Sequence, residues 1–144
     1  MMMKIWYLSH WLYLRKIPFL PGFLMRFNRV MFACEIHPST KIGKNVCFAH
    51  NGLGCVVNEE AQIGDGTKIL QNVTIGGRGS HGVPIIGKNV LIGCGAAILG
   101  GIRISDNVKV GANAVVLTDI PEEKTAVGIP AKNHKLSYKI HCNL

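Results

Sequence analysis

The sequence has few acidic residues, few aromatic residues and no long apolar run. Its 144 residues contain 8 Asp and Glu against 16 Lys and Arg, which gives a formal net charge of +8. That balance favours anionic partners, such as a phosphorylated ligand, a membrane surface or nucleic acid. Aromatic residues make up 7%, hydrophobic residues 48%, and there are 17 glycines. The composition therefore predicts a packed core of small and β-branched side chains within one domain.

The sequence also lacks features of membrane-spanning, secreted and zinc-ribbon proteins. No stretch reaches the ~18 apolar residues that a membrane span needs. Basic residues interrupt the apolar N-terminal runs and no small-residue cleavage site follows, which excludes a secretory signal. The five cysteines include no CxxC pair, which argues against a disulfide framework and against a zinc ribbon. We therefore expect reduced thiols and a cytoplasmic location, with the inner membrane surface as one place for a basic protein.

A six-residue period runs through most of the chain. Ile or Val stands at every sixth place from Ile86 to Val116, and the period also holds in upstream blocks, with small or aliphatic residues such as Ile120 at the fifth place. The first-place residues are Ile36, Ile42, Phe48, Val57, Ile63, Ile69, Ile75, Ile86, Ile92, Ile98, Ile104, Val110 and Val116. Such internal repetition is typical of a solenoid whose stacked coils bury one shared core.

Each hexad supplies a short strand and a turn, and three hexads complete one coil of a prism. The first-place side chain points inward, while Gly at the second place and Asn45, Asn89 and Asn107 at turns suit a left-handed backbone. The fold class predicted is an all-β solenoid, a parallel β-helix of hexapeptide repeats. The general crossover rule favours right-handed coils.

The period breaks twice. Three extra residues separate Phe48 from Val57, and five separate Ile75 from Ile86. The first break contains His50, and the second is a glycine-rich loop, 76–85, with Arg78 and His81. Loops that interrupt a regular scaffold often carry function, so we expect this loop to project and cover a cleft.

The first 34 residues do not follow the hexad period. Lys4 to Lys16 predicts a helix, Pro18 and Pro21 interrupt it, and apolar residues at helical spacing predict a second helix that leads to Cys34. We expect residues 1–34 to form a helical cap that covers the open end of the solenoid, with peripheral membrane contact as a compatible second role. The solenoid is expected over 35–132, and a C-terminal tail over 133–144.

Several motifs resemble one family. They are EIHPSTKIG, VVNEEAQIGDGTKILQNVTIGG, IGKNVLIGCGAAILGG, VGANAVVL and AVGIPAK, which together cover about residues 35–132. The chain resembles the hexapeptide-repeat acetyltransferases of the serine O-acetyltransferase type, including their short relatives from capsule and exopolysaccharide loci. The resemblance implies left-handed coils, acetyl-CoA as donor and a homotrimer with active sites between neighbouring chains.

The resemblance also assigns roles to residues. The family's catalytic histidine matches His50, and its paired acid matches Glu35, where most members have Asp. A histidine takes a proton from the acceptor hydroxyl, and a carboxylate fixes the ring's tautomer, so these two residues suit O-acetyl transfer. They are 15 residues apart, close to one coil. His37 matches a strand residue, and we expect only turn packing and a local hydrogen bond there.

Donor and acceptor contacts follow from the same alignment. We expect Arg78 and His81 to contact the acceptor, and no metal is expected. The coenzyme A contacts implied are Gly95, Ala96, Ala97, Ala112, Asn113, Lys132 and Lys135. For the Gly and Ala places, the needs of the turn explain the residue type equally well.

Three differences from the serine acetyltransferase pattern affect the prediction of the acceptor. Serine acetyltransferases have Asp just before the catalytic histidine and an Arg-His pair before the proline that ends the loop; this chain has Ala49, Gly82 and Val83 there. The missing groups are those expected to hold an amino acid's charged ends. We therefore predict a sugar hydroxyl in surface polysaccharide biosynthesis as acceptor, with free L-serine, in cysteine biosynthesis, as the alternative.

Two other classes remain as distant alternatives. A metal-binding β-helix needs three converging ligands, whereas His37, His50 and His81 are scattered along the chain. A non-catalytic solenoid would not need the two breaks in the period. Nucleic acid is not expected as a partner, because no aromatic residues alternate with the basic residues of the solenoid.

Overall fold

The computed structural model describes residues 1–135, and most of the predicted tail 133–144 lies outside them, as does the side chain of Lys135. Two helices come first, α1 (Met2–Leu14) and α2 (Leu20–Phe32). The strands that follow are β1 (Glu35–Ile36), β2 (Lys41–Ile42), β3 (Cys47–Phe48), β4 (Val56–Val57), β5 (Gln62–Ile63), β6 (Lys68–Ile69), β7 (Thr74–Gly76), β8 (Ile85–Ile86), β9 (Leu91–Ile92), β10 (Ala97–Leu99), β11 (Arg103–Ile104), β12 (Lys109–Val110), β13 (Val115–Val116), β14 (Lys124–Val127) and β15 (Lys132–Lys135). A 3-10 helix, Ala49–Gly52, follows β3.

The strands form three sheets, which the chain visits in turn. Sheet A has the order β1-β4-β7-β10-β13, sheet B the order β11-β8-β5-β2, and sheet C the order β15-β14-β12-β9-β6-β3. All pairs are parallel except β14 with β15. From β1 to β13, neighbouring strands in each sheet are three apart in sequence, so every coil contributes one strand to each side of a three-sided prism, and β14 and β15 extend sheet C. The prediction of a parallel β-helix is confirmed.

Hexad first places form the interior of the prism. In sheet A, Ile36, Val57, Ile75, Ile98 and Val116 pair in register. In sheet B the ladder is Ile42, Ile63, Ile86, Ile104 and Ile120; in sheet C it is Phe48, Ile69, Ile92, Val110 and Ala126. All of these residues except the half-buried Ile42 are buried, and each fully buried aliphatic side chain stabilises the fold by roughly 1.5–3 kcal/mol.

Ile120 departs from the predicted register. The hexad period assigned it a fifth place, but it bridges Ile104 and is 1% exposed, so it takes an interior first place. The chain needs only four residues from Val116 to reach it, because the turn between them is two residues shorter than in the other coils. The Asn turns do follow the prediction: Asn45, Asn89 and Asn107 have left-handed φ angles.

The two helices pack as an antiparallel hairpin on the first coil. Ser9 Oγ donates a hydrogen bond to Pro21 O over 2.9 Å near one end, and Asn28 Nδ2 donates to Met2 O over 3.5 Å near the other. Trp6 is 2% exposed, and its Nε1 donates to His37 O over 3.1 Å. The hairpin therefore covers part of the first coil. None of the helices in residues 1–135 has the length and apolar character to cross a membrane.

Candidate functional site

His50 lies in a strained corner between sheets C and A, which we call the His50 corner (residues 49–55). His50 has φ 52° and Asn51 φ 55°, and Gly52 and Gly54 are also left-handed. These angles fold the three extra residues into a compact turn. A left-handed His is unfavourable by roughly 1–2 kcal/mol, and such strain is often found at functional sites. The corner leaves the His50 side chain exposed to solvent.

The solenoid and α1 hold this corner in place. Leu53 N donates to His50 O over 3.3 Å, and Asn72 N in the next coil donates to Leu53 O over 2.8 Å. Met2 is 1% exposed, and its Cε would lie 2.6 Å from a Cβ added at Gly52, so α1 packs directly against the turn. The imidazole therefore sits on a fixed backbone. The importance of Met2 was not predicted, because no local pattern links it to a turn some 50 residues away.

Glu35 begins β1 at the same edge of the prism. Its backbone N donates to Cys55 O over 2.9 Å, which puts it beside the end of the His50 corner. Its carboxylate Oε2 lies 3.1 Å from Arg29 Nη1 on α2, and within residues 1–135 the structure gives no hydrogen bond between this carboxylate and His50. The sequence did not indicate the Arg29 contact, which arises only when α2 packs on the solenoid.

His37 has the structural role expected for it. Ser39 N donates to His37 Nδ1 over 3.2 Å, and Ser39 Oγ lies 2.6 Å from the same nitrogen. Tyr13 packs edge-on against the ring at 6.0 Å. His37 therefore joins α1 to the first coil.

The inserted loop 76–85 lies at the other edge of sheet A, between sheets A and B. Arg78 and His81 are exposed there and line a cavity of about 410 Å³ with Leu99, Gly100, Gly101, Ile102 and Leu117. Gly101 N donates a hydrogen bond to His81 O. Residues 77–82 of the loop are exposed, and its base rests against the next coil, where Gly100 and Gly101 leave room for it.

A single chain does not bring the candidate catalytic and acceptor-binding residues together. His50 follows a sheet C strand and precedes a sheet A strand, whereas Arg78 and His81 follow a sheet A strand. The two groups are therefore on opposite edges of sheet A. If both serve one acceptor, the second group must come from a neighbouring chain.

The predicted coenzyme positions lie on the same edge as His50. Gly95 N donates to Gln71 O over 3.0 Å and Asn113 N to Cys94 O over 2.8 Å, so successive corners stack above the His50 corner. Ala112 and Asn113 are exposed, Ala97 is half-buried and Lys132 is exposed on β15. The side chain of Lys135 lies outside the described part of the chain.

Ala96 is the least accessible of these positions. Its side chain is fully buried, its N–H bonds to Gly93 O over 3.3 Å, and its C=O accepts from Thr74 N over 2.9 Å. Both backbone groups are therefore used within the solenoid. In residues 1–135, no group of three or more His, Cys, Asp or Glu side chains is arranged to hold a metal ion.

Two buried thiols lie beneath the His50 corner. Burial, with a smaller contribution from nearby Cys55, raises the pKa of Cys34 to about 12, and burial also raises the pKa of Cys55. Only the thiolate is a good nucleophile, so we expect both thiols to resist Ellman's reagent at neutral pH while the exposed Cys47 reacts. A Cys142→Ser variant removes the one thiol outside residues 1–135. Rapid labelling of Cys34 in the folded variant would contradict its burial.

Comparisons with known proteins identify the family and the fold. Residues 84–118 match the family model for the bacterial transferase hexapeptide (six repeats). Serine acetyltransferase of Synechococcus elongatus is 41% identical over 127 residues, 86% of this chain and 52% of the relative. Serine acetyltransferase of Helicobacter pylori is 43% identical over 130 residues, 87% of this chain and 74% of the relative.

Solved structures are similar over nearly the whole described fold. A serine acetyltransferase in complex with CoA superposes with a TM-score of 0.86 at 38% identity, over 92% of this chain and 55% of that one. Soybean serine acetyltransferase complexed with serine gives a TM-score of 0.86 at 43% identity, over 92% and 56%. This chain thus spans about half the length of most of these proteins.

Proposed function

Because the chain belongs to the serine acetyltransferase family of hexapeptide-repeat, left-handed β-helix proteins, we propose that it transfers the acetyl group of acetyl-CoA to a hydroxyl. The observation that carries the proposal is the His50 corner. It presents one exposed imidazole on a rigid, strained turn at the point where the hexad period breaks. A solenoid without catalysis would have no need for a left-handed histidine at this place.

The chemistry requires one proton to move twice. His50 removes the proton from the acceptor hydroxyl as its oxygen bonds to the thioester carbonyl carbon. The carbon–sulfur bond then breaks, and the imidazolium returns the proton to the coenzyme A sulfur. The products are an O-acetyl ester and free CoA thiol. A histidine suits both steps, because its unperturbed pKa lies near neutral pH.

Glu35 is proposed to orient His50 and to stabilise its imidazolium. The carboxylate is at the same edge of the prism, and its only described ion pair, with Arg29, is solvent-exposed on both sides, at 41% and 68%. Exposed ion pairs typically contribute about 0–1 kcal/mol, so the contact with Arg29 is easily exchanged. A rotation of the Glu35 side chain toward the corner would leave the backbone unchanged.

Acetyl-CoA is proposed to lie along the edge between sheets C and A. Exposed Asn113 and the small Ala112 and Gly95 leave this edge accessible to an extended arm, and Lys132 supplies a cation for the phosphates. The similar structure solved with CoA supports this donor. Ala97 is a further proposed contact, and Ala96 would act only by shaping the turn.

A homotrimer is proposed for the active assembly. Sheet A separates His50 from Arg78 and His81, so side-by-side packing of prisms lets one chain's loop approach another chain's His50 corner. In this arrangement Arg78 and His81 contact the acceptor across the interface. The cavity of about 410 Å³ beside them is large enough for a small polar acceptor.

L-Serine is the acceptor that the comparisons favour. The named relatives are serine acetyltransferases, and one similar structure was solved with serine. A sugar hydroxyl, the first expectation from the sequence, has no support among them. It remains a second candidate because Ala49, Gly82 and Val83 offer no charged side chain to an amino acid's carboxylate or ammonium group.

Acceptor-dependent release of CoA thiol from acetyl-CoA tests these assignments. We expect release with L-serine, with O-acetylserine as the product, and none above background in a His50→Ala variant. Faster release with a hexose than with serine would replace serine by the second candidate. If neither acceptor supports release by the folded protein, the transferase proposal is wrong.

A further inference from the structure

The two helices expose far more apolar surface than the solenoid does. Of the 18 large hydrophobic side chains that are exposed in residues 1–135, 13 lie within residues 1–31. Phe19 is 92% exposed, Val30 83% and Phe23 62%. Apolar surface of this extent on a small region usually marks an interaction site. We call these side chains, together with the basic residues between them, the helical face.

The helical face has a consistent direction on each helix. On α1, Met2, Trp6, Ser9 and Leu12 are buried. The opposite side carries the exposed residues Lys4, Tyr7, Leu8, Trp11, Leu14 and Arg15. On α2, Pro21 and Asn28 are buried, and Phe23, Arg26, Phe27 and Val30 face away from them. Each helix thus packs with one side and presents aromatic, aliphatic and basic side chains on the other.

The charge of this segment has one sign only. Residues 1–34 contain five Lys and Arg residues and no Asp or Glu. Among residues 1–135, Arg29 is the one of these five that forms an ion pair with a carboxylate. Arg15 lies over the ring of Trp11 at 4.3 Å, a contact that leaves the guanidinium charge uncompensated. The helical face is therefore both apolar and cationic.

The combination of apolar surface and positive charge indicates which kind of partner binds the helical face. A second copy docked through the same face would bring four uncompensated cations against four, which opposes a symmetric dimer. An anionic bilayer satisfies both features: aromatic and aliphatic side chains enter the acyl boundary while Lys and Arg reach the lipid phosphates. Eight of the ten aromatic residues fall in residues 1–32, and Trp and Tyr favour the membrane interface.

We propose that the helical face docks α1 and α2 in the plane of an anionic lipid bilayer. Each helix has 13 residues, about 20 Å, which is too short to span the ~30 Å hydrocarbon core. The helices therefore lie on the membrane surface with the solenoid outside it. The attachment is reversible and weakens as salt screens the lipid charge.

Vesicle co-sedimentation of the full chain tests the docking. We expect binding to phosphatidylcholine vesicles that contain phosphatidylglycerol, little binding to phosphatidylcholine alone, and loss of binding at high salt. A Lys4→Glu, Arg26→Glu variant should bind more than roughly 30-fold more weakly, because the loss of two cations at an anionic surface alone accounts for that factor and the two new carboxylates are repelled by the lipid. Phe23→Ser should weaken binding at every salt concentration, because it removes an apolar contact.

The matched control is a Lys44→Glu, Lys88→Glu variant. It changes net charge by the same amount at two exposed solenoid corners and should bind like wild type. If both charge-reversal variants bound vesicles equally weakly, the attraction would depend on total charge, and docking through the helical face would be wrong. Binding to neutral vesicles as strong as to anionic ones would also overturn it. So would light scattering that shows Lys4→Glu, Arg26→Glu dissociating an oligomer, since the occupant would then be a second copy.

Discussion

Replacement of His50 by Ala is expected to lower kcat by about 10³-fold, with little change in KM for acetyl-CoA. General acid–base catalysis by a positioned side chain typically raises the reaction rate 10²–10⁴-fold. The proton transfer proposed for His50 takes place only in the transition state. The side chain is exposed and makes no hydrogen bond that the structure records, so its removal should not unfold the corner. Initial rates of CoA thiol release at saturating acetyl-CoA measure the effect.

Two comparisons make this test specific. Lys44→Ala changes an exposed turn in the same coil, away from the His50 corner, and should retain wild-type rates and thermal stability. His50→Ala should unfold at the same temperature as wild type, because Ala relieves none of the left-handed strain and the change loses no contact. A His50→Ala protein with more than a tenth of wild-type kcat would remove His50 from the mechanism.

The interior of the fold could be predicted because the six-residue spacing is visible in short stretches of sequence and every hexad requires an apolar residue at its first place. Each first-place residue is held inside by the coil above and the coil below, so the same chemical requirement recurs in every hexad. The position of Ile120 was predicted wrongly because a shortened turn changes the register once. Alternation alone does not show which of two nearby aliphatic residues points inward.

The candidate site was predictable only where it disturbs that period. His50 stands out because three extra residues surround it, and the left-handed backbone of the structure explains why they are needed. The Glu35–Arg29 ion pair and the packing of loop 76–85 against Gly101 depend on contacts between distant segments. The hexad pattern does not encode them, so the sequence offered no signal for either.

Gly64→Ala is expected to destabilise the solenoid by about 3 kcal/mol, the upper end of the usual cost of forced overpacking. A Cβ at Gly64 would lie 2.5 Å from both the carbonyl carbon and oxygen of Gly87 and 2.9 Å from Lys88 N. All three are backbone atoms of the next coil, so no side-chain rotation relieves the contact. The coils would have to separate and stretch the 2.8 Å hydrogen bond from Gly64 N to Ile86 O.

Gly79→Ala is the control for Gly64→Ala. It tests the effect of a left-handed backbone conformation without any close contact between coils. Gly79 has φ +56° and no heavy atom within 4 Å of an added Cβ, so Ala there meets only left-handed strain, roughly 1–2 kcal/mol. Gly64 has no left-handed φ, so its requirement comes from the stacking of coils alone. Urea unfolding at one fixed protein concentration compares the two variants. If Gly79→Ala were the more damaging, the close approach of neighbouring coils would not be what requires glycine at position 64.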